Sequence, residues 1–165
     1  NVLEGNLRSV DFKNLKPLNE AARLKKKILG VLVGGNMKVI ESHIGTPDKF
    51  NFSGRIAFFE ETGERGYRVD RMLLHLNESA ALKDCKAVVF GDFILGEEPL
   101  ENGQTVRQSK VEAVLKRWAE KQKFPVLSGL PCGHDTIQRV MPLGTQADLT
   151  TGPIGELQVK TVVAK

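Results

Sequence analysis

The chain has 165 residues, 41% of them hydrophobic and 27% charged, with a formal net charge of +4 and a pI near 9.1. This is enough apolar material for a single domain with its own core. The positive charge is scattered, with one tight cluster at Lys25, Lys26 and Lys27 and no interleaving of bases with aromatics, so nucleic-acid binding is not expected.

No run approaches the ~18 consecutive apolar residues of a membrane span, and the start of the chain does not read as a secretory leader. Cys85 and Cys132 show no CxxC spacing and no dense framework, which fits reduced thiols in a reducing compartment. The chain opens with Asn1 rather than Met, as expected of a piece of a longer protein.

Residues 1–27 have little periodicity and read as a lead-in or linker segment. ILGVLVGGN (28–36) is an apolar run closed by glycines and predicts a buried strand. MKVIESHIG (37–45) follows at helical spacing, with Asn36 as N-cap and Gly45 as stop. RIAFFEE (55–61) predicts a second strand. YRVDRMLLHLNES (67–79) predicts a helix whose buried face carries Val69, Met72, Leu73 and Leu76. KAVVFGDF (86–93) predicts a third strand, residues 108–123 a helix with Val111, Val114, Leu115 and Trp118 inward, and FPVLSGL (124–130) a fourth strand. TQADLTT and ELQVKTVV, joined by Gly152, Pro153 and Gly155, predict a closing hairpin. The expected fold is α/β: a mostly parallel sheet with helices on its faces and a C-terminal antiparallel hairpin, spanning residues 28–165.

In such a sheet, sites gather at the carboxyl ends of the strands, beside helix N-termini. Here that rim carries Gly34-Gly35-Asn36, Glu60-Glu61, Gly91-Asp92 and the loop from Gly129 to His134. A histidine in a loop is commonly a solvated polar residue, and its flanking glycines commonly punctuate a turn. Glu60, however, directly follows Ile56-Ala57-Phe58-Phe59, so its backbone belongs to the sheet and its carboxylate needs a partner. An imidazolium is a natural one: a carboxylate orients the ring and stabilises its charge, as in hydrolase triads. Asn36 and Gly133, on the same rim, are candidates for substrate contact.

Cys132, His134 and Asp135 have the chemistry of metal ligands, but no second Cys/His pair and no HExxH motif accompanies them, and no metal is expected. Neither GxGxxG nor a P-loop occurs, and no cofactor is expected. A base and its orienter still need a nucleophile. None of Ser9, Ser42, Ser53, Ser79, Ser109 and Ser128 lies in GxSxG. Cys132 is only two residues from His134, whereas productive dyads are assembled from distant segments.

GVLVGGNM (30–37), Gly45-Thr46-Pro47, GRIAFFEETGERGYRVDRMLLHL (54–76), FPVLSGLPCGHD (124–135) and MPLG (141–144) together resemble, in order, the C-terminal domain of the LD-carboxypeptidase family of serine peptidases, which includes the microcin C self-immunity peptidases. The resemblance implies that Glu60 is the acid and His134 the base of a Ser-Glu-His triad. It implies no catalytic role for Glu61. It further implies that the serine lies on a separate N-terminal nucleophile domain, so this piece alone should be inactive. The implied substrate is a muropeptide tetrapeptide, cleaved to release its terminal D-alanine during cytoplasmic peptidoglycan recycling. A self-immunity peptidase is the nearest variant, and a non-catalytic binding domain that kept the fold is the alternative of a different class. LNEAARLKKKILG (18–30) departs from the family pattern. A surface meant for a nucleophile domain should leave an apolar patch that also favours a homodimer.

Overall fold

Ile56 to Phe59 forms an unbroken apolar run because both faces of its strand are buried. Ile56 and Phe58 enter one core with Leu32, Ala87, Val89 and Leu127. Ala57 and Phe59 enter another with Val69, Leu73, Val88, Phe90 and Trp118. The two-residue period of a strand sends alternate side chains to opposite sides. The structure, a computed structural model, describes residues 8–94, 98–99, 105–106 and 110–161.

The first core is the inside of a barrel. Among the described residues, seven strands close into it: β1 (Ser9–Pro17), β2 (Lys27–Asn36), β3 (Ile56–Thr62), β4 (Ala87–Ile94), β7 (Val126–Ser128), β8 (Thr145–Thr150) and β9 (Gly155–Lys160). β5 (Glu98–Pro99) and β6 (Thr105–Val106) form a separate two-stranded sheet. The barrel order is β1-β7-β4-β3-β2-β8-β9, and each of the seven strands contributes a buried apolar side chain to the interior. Helices α2 (Met37–Ser42), α3 (Gly66–Glu78) and α4 (Val111–Ala119) connect the parallel strands and cover the outside of β3 and β4, where the second core lies. α1 (Glu20–Arg23) is a single turn between β1 and β2.

Among the described residues, β2-β3, β3-β4 and β4-β7 pair in parallel, whereas β2-β8, β8-β9, β9-β1 and β1-β7 are antiparallel. The expected mostly parallel open sheet is therefore corrected to a closed mixed barrel, although the alternation of strands and helices and the C-terminal hairpin are as expected. Closure removes the two exposed edges that an open sheet would carry.

The reading of residues 1–27 as a lead-in is also corrected, since residues 9–17 are the barrel strand that closes it. Val10, Phe12 and Leu15 point inward, a spacing of two and then three. Asn14 is left-handed at φ 63°, and the β1-β9 register shifts between Phe12 and Leu15. This β-bulge adds one residue and hides the alternation. Asn19, almost wholly buried, then ties the entry together. Its Nδ2 donates to the carbonyls of Ala119 (3.1 Å), Gln122 (3.3 Å) and Phe124 (2.9 Å), and its Oδ1 accepts from the N–H groups of Ala22 and Val126 (3.1 Å each). One side chain thus caps α1 and the end of α4 together.

Candidate active site

The four parallel strands end on one rim. Gly34 and Gly35 bring β2 to it against the backbone of β3, with Gly34 at φ 152°. A Cβ on Gly34 would lie 1.8 Å from the carbonyl oxygen of Phe58, so the strands approach more closely than any side chain allows. Asn36 follows as the N-cap of α2, its Oδ1 accepting from the N–H of Val39 at 3.1 Å. Its Nδ2 donates to Glu61 Oε1 at 3.0 Å. The Asn36 amide, a candidate for substrate contact, is thus committed on both its atoms to the strand-helix junction.

Glu60 and Glu61 are both buried. Glu61 Oε2 accepts from the N–H of Lys38 at 2.8 Å and Oε1 from the N–H of Thr62 at 2.9 Å, in addition to Asn36. Its charge faces the N–H of Lys38 in the first turn of α2. Glu60 turns the other way, and its Oε2 lies 2.8 Å from His134 Nδ1. The two residues paired in the sequence reading on chemistry alone are therefore in direct contact. With Glu60 ionised, the carboxylate accepts from Nδ1–H, which fixes the tautomer and leaves Nε2 with a lone pair for another partner. The Glu60 side chain is 9% exposed and that of His134 51%, so the acid is shielded while the ring is open to the outside.

The His134 loop reaches this point by extending β7 along β4. Leu130 N–H donates to Phe90 O at 3.2 Å and Asp92 N–H to Cys132 O at 3.0 Å, beyond the last formal strand residue Ser128. Glycines mesh at the contact. A Cβ on Gly91 would lie 2.3 Å from Cys132 O, and a Cβ on Gly133 would lie 2.8 Å from the Cβ of Asp92. Gly133, a second candidate for substrate contact, has φ 149° and packs against Asp92. The loop continues to Arg139, whose N–H donates to Pro131 O at 3.2 Å and whose Nη1 donates to the carbonyl of Asp11 at 2.8 Å. Ile137, Val140 and Leu143, further along, are exposed.

Cys132 is free, and burial first, then the nearby carboxylates of Asp92 and Glu60, push its thiol up to about 11. At neutral pH it is a thiol, a poor nucleophile. Ser42 Oγ donates to Val39 O and Ser79 Oγ to Leu76 O, both spent on helix ends. Among the described residues, no group of three or more His, Cys, Asp or Glu side chains is placed to hold a metal ion, and no helix is long and apolar enough to cross a membrane.

Residues 29–149 match the family model of the LD-carboxypeptidase C-terminal domain. The chain belongs to that family. This LD-carboxypeptidase C-terminal domain is 31% identical over 142 residues to a Bacillus subtilis protein named a probable murein peptide carboxypeptidase, covering 84% of this chain and 42% of that protein. It superposes with a TM-score of 0.72 on the crystal structure of muramoyltetrapeptide carboxypeptidase from Oxalobacter formigenes, at 30% identity over 94% of this chain and 51% of that one. The microcin C7 self-immunity protein MccF superposes with a TM-score of 0.69 at 18% identity, over 92% of this chain and 42% of that one, which is a likeness of fold. The domain spans about two fifths of the length of the curated relatives it matches.

Proposed function

We propose that this domain supplies the acid and the base of a Ser-Glu-His triad in an LD-carboxypeptidase, Glu60 holding the ring of His134 and His134 acting on a serine from a segment outside these 165 residues. The observation that carries this reading is the 2.8 Å contact between Glu60 Oε2 and His134 Nδ1, which leaves Nε2 as the proton acceptor. Nε2 takes the serine proton as the hydroxyl attacks the amide carbonyl, then returns it to the leaving amine. Glu60 stays ionised and balances the imidazolium charge that forms in between.

The substrate under this proposal is a tetrapeptide muropeptide losing its terminal D-alanine, a reaction of cytoplasmic cell-wall recycling. The names of relatives that act on murein peptides support the substrate class. The exposed apolar side chains Ile137, Val140 and Leu143 offer the nucleophile-bearing segment a surface close in sequence to His134.

The test is D-alanine release from a tetrapeptide muropeptide by the domain joined to the segment that precedes it in its gene. The 165-residue chain is assayed alongside and should release none. In the joined protein, Glu60→Gln and His134→Ala should each lower kcat by about 10⁴-fold. Undiminished activity in either variant, or full activity of the 165-residue chain, overturns the assignment.

A further inference from the structure

We propose that Asp92 is the positioning residue of this site: it locks the Pro131–Asp135 loop onto the rim and thereby holds His134 against Glu60. The consequence for catalysis rests on the triad reading above, whereas the positioning does not.

The loop carrying His134 has no helix or strand of its own, and the ring is half exposed. Something must fix it if Nδ1 is to stay at 2.8 Å from a buried carboxylate. Asp92 meets it on both sides of His134, by its main chain on one side and by its carboxyl group on the other. On the N-terminal side, its N–H donates to Cys132 O at 3.0 Å. On the C-terminal side, its Oδ2 accepts from the N–H of Asp135 at 3.4 Å. Between them the backbone of Gly133 rests on the carboxyl group, since a Cβ there would come within 2.8 Å of Asp92 Cβ and 3.0 Å of Oδ2. Arg139 ties the far limb of the same loop to β1 through the carbonyl of Asp11. The near limb, which bears the histidine, is tied to β4 by Asp92.

The carboxylate is maintained there at a cost. Burial pushes Asp92 above the usual range, and the neighbouring Asp135 adds to this, while the Asp135 N–H and the charge of His134 oppose it. An apolar residue would avoid that penalty but could not accept from Asp135. Among the described residues, Glu60 on β3 contacts the imidazole, and Asp92 on β4 feels its charge together with that of Asp135. Among the described residues Glu60 hydrogen-bonds the ring, and Asp92 acts through the loop backbone beside it.

The imidazole Nδ1–H proton of His134, observed by NMR in the 165-residue chain, reads this directly. Asp92→Ala should broaden or abolish that resonance and speed its exchange with solvent, while the Asn19 side-chain amide signals at the other end of the barrel stay in place. Asp92→Asn keeps an acceptor for Asp135 and should retain the resonance. Asp92→Val, close in size but with no acceptor for Asp135, should behave as Asp92→Ala does and decides the matter if that variant does not fold. A His134 proton as sharp and slowly exchanging in Asp92→Ala and Asp92→Val as in the parent overturns the proposal, as does its equal loss in Asp92→Asn. In the joined enzyme, Asp92→Ala should lower kcat about 10²-fold with KM little changed, and Asp92→Asn should restore most of it. Absence of D-alanine release from any joined form would count against the triad reading and leave the NMR result standing.

Discussion

Glu60 and Glu61 are neighbours in β3 whose carboxylates work on opposite faces of the strand, one against His134 and the other against the first turn of α2. In the β3-β4 register the step from Phe59 to Glu61 spans Phe90 to Phe93, so the extra residue lies in β4 and β3 keeps its alternation where the two acids diverge. Fixing Glu61 to three N–H donors therefore also fixes the direction in which Glu60 leaves the strand.

Glu61→Ala should destabilise the domain by about 3 kcal/mol, because the N–H groups of Lys38 and Thr62 and the amide of Asn36 each lose an acceptor. Glu61→Gln, which keeps one acceptor oxygen, should cost less. Urea unfolding at neutral pH measures both, and a loss below about 0.5 kcal/mol for Glu61→Ala would show that the junction is held by other contacts.

Gly34 and Gly35 have similar backbone angles, φ 152° and 145°, but different surroundings. A Cβ at Gly34 meets Phe58 O at 1.8 Å, whereas at Gly35 nothing lies within 4 Å. Gly35→Ala should cost only the conformational strain, about 1–2 kcal/mol. Gly34→Ala must also push β2 away from β3 and should yield insoluble protein or a far lower Tm. Equal melting temperatures for the two variants would contradict the close approach of these strands.

The raised carboxyl of Asp92 sets a pH signature. Its folded-state pKa lies above the unfolded value of about 3.9, so its penalty is absent below that value and grows as pH rises through the folded pKa. Asp92→Asn does not titrate. The stability of the parent relative to Asp92→Asn should therefore decline from pH 3 towards neutrality, as followed by urea midpoints across that range. A difference that stays constant, or changes in the other direction, would contradict the shift.

Cys132, pushed up to about 11 from an ordinary 9.0, should carry about a hundredfold less thiolate than an unshifted thiol at pH 8. Alkylation by iodoacetamide, followed by peptide mass mapping, should be slow at that pH and accelerate towards pH 11. Rapid labelling of Cys132 at pH 7 would show an activated thiol and reopen the question of a local nucleophile.

Much of the site was legible because chemistry and periodicity agreed. The apolar run before Glu60 marked a carboxylate in a buried strand, and the glycines around His134 marked a loop brought close to its neighbours; both residues reached the same rim. The helices over β3 and β4 were legible from their apolar stripes, and the face Val69, Met72, Leu73 and Leu76 is buried as expected. α2 ends at Ser42, earlier than the stop at Gly45 suggested. Of the helix expected over residues 108–123, the part at 111–119 is helical, and residues 108–109 lie outside the described set. β1 was not legible, since its bulge at Asn14 breaks the alternation that identifies a strand. Without β1 there was no reason to close the sheet. The part played by Asp92 was also out of reach, because hydrogen bonds to loop backbone leave no residue spacing to read.

Closing the barrel with β1 also decides where Arg8 and Thr161, the outermost described residues, lie. β1 runs antiparallel to β7, with Lys16 opposite Ser128, so its beginning lies towards the edge that bears His134; Asp11 already touches Arg139 there. β9 finishes beside it, with Lys160 opposite Ser9 and the N–H of Thr161 donating to Arg8 O at 3.0 Å. Arg8 and Thr161 thus meet at the barrel edge towards which the His134 loop runs. A segment joined ahead of Arg8 or beyond Thr161 would start from that same edge of the barrel.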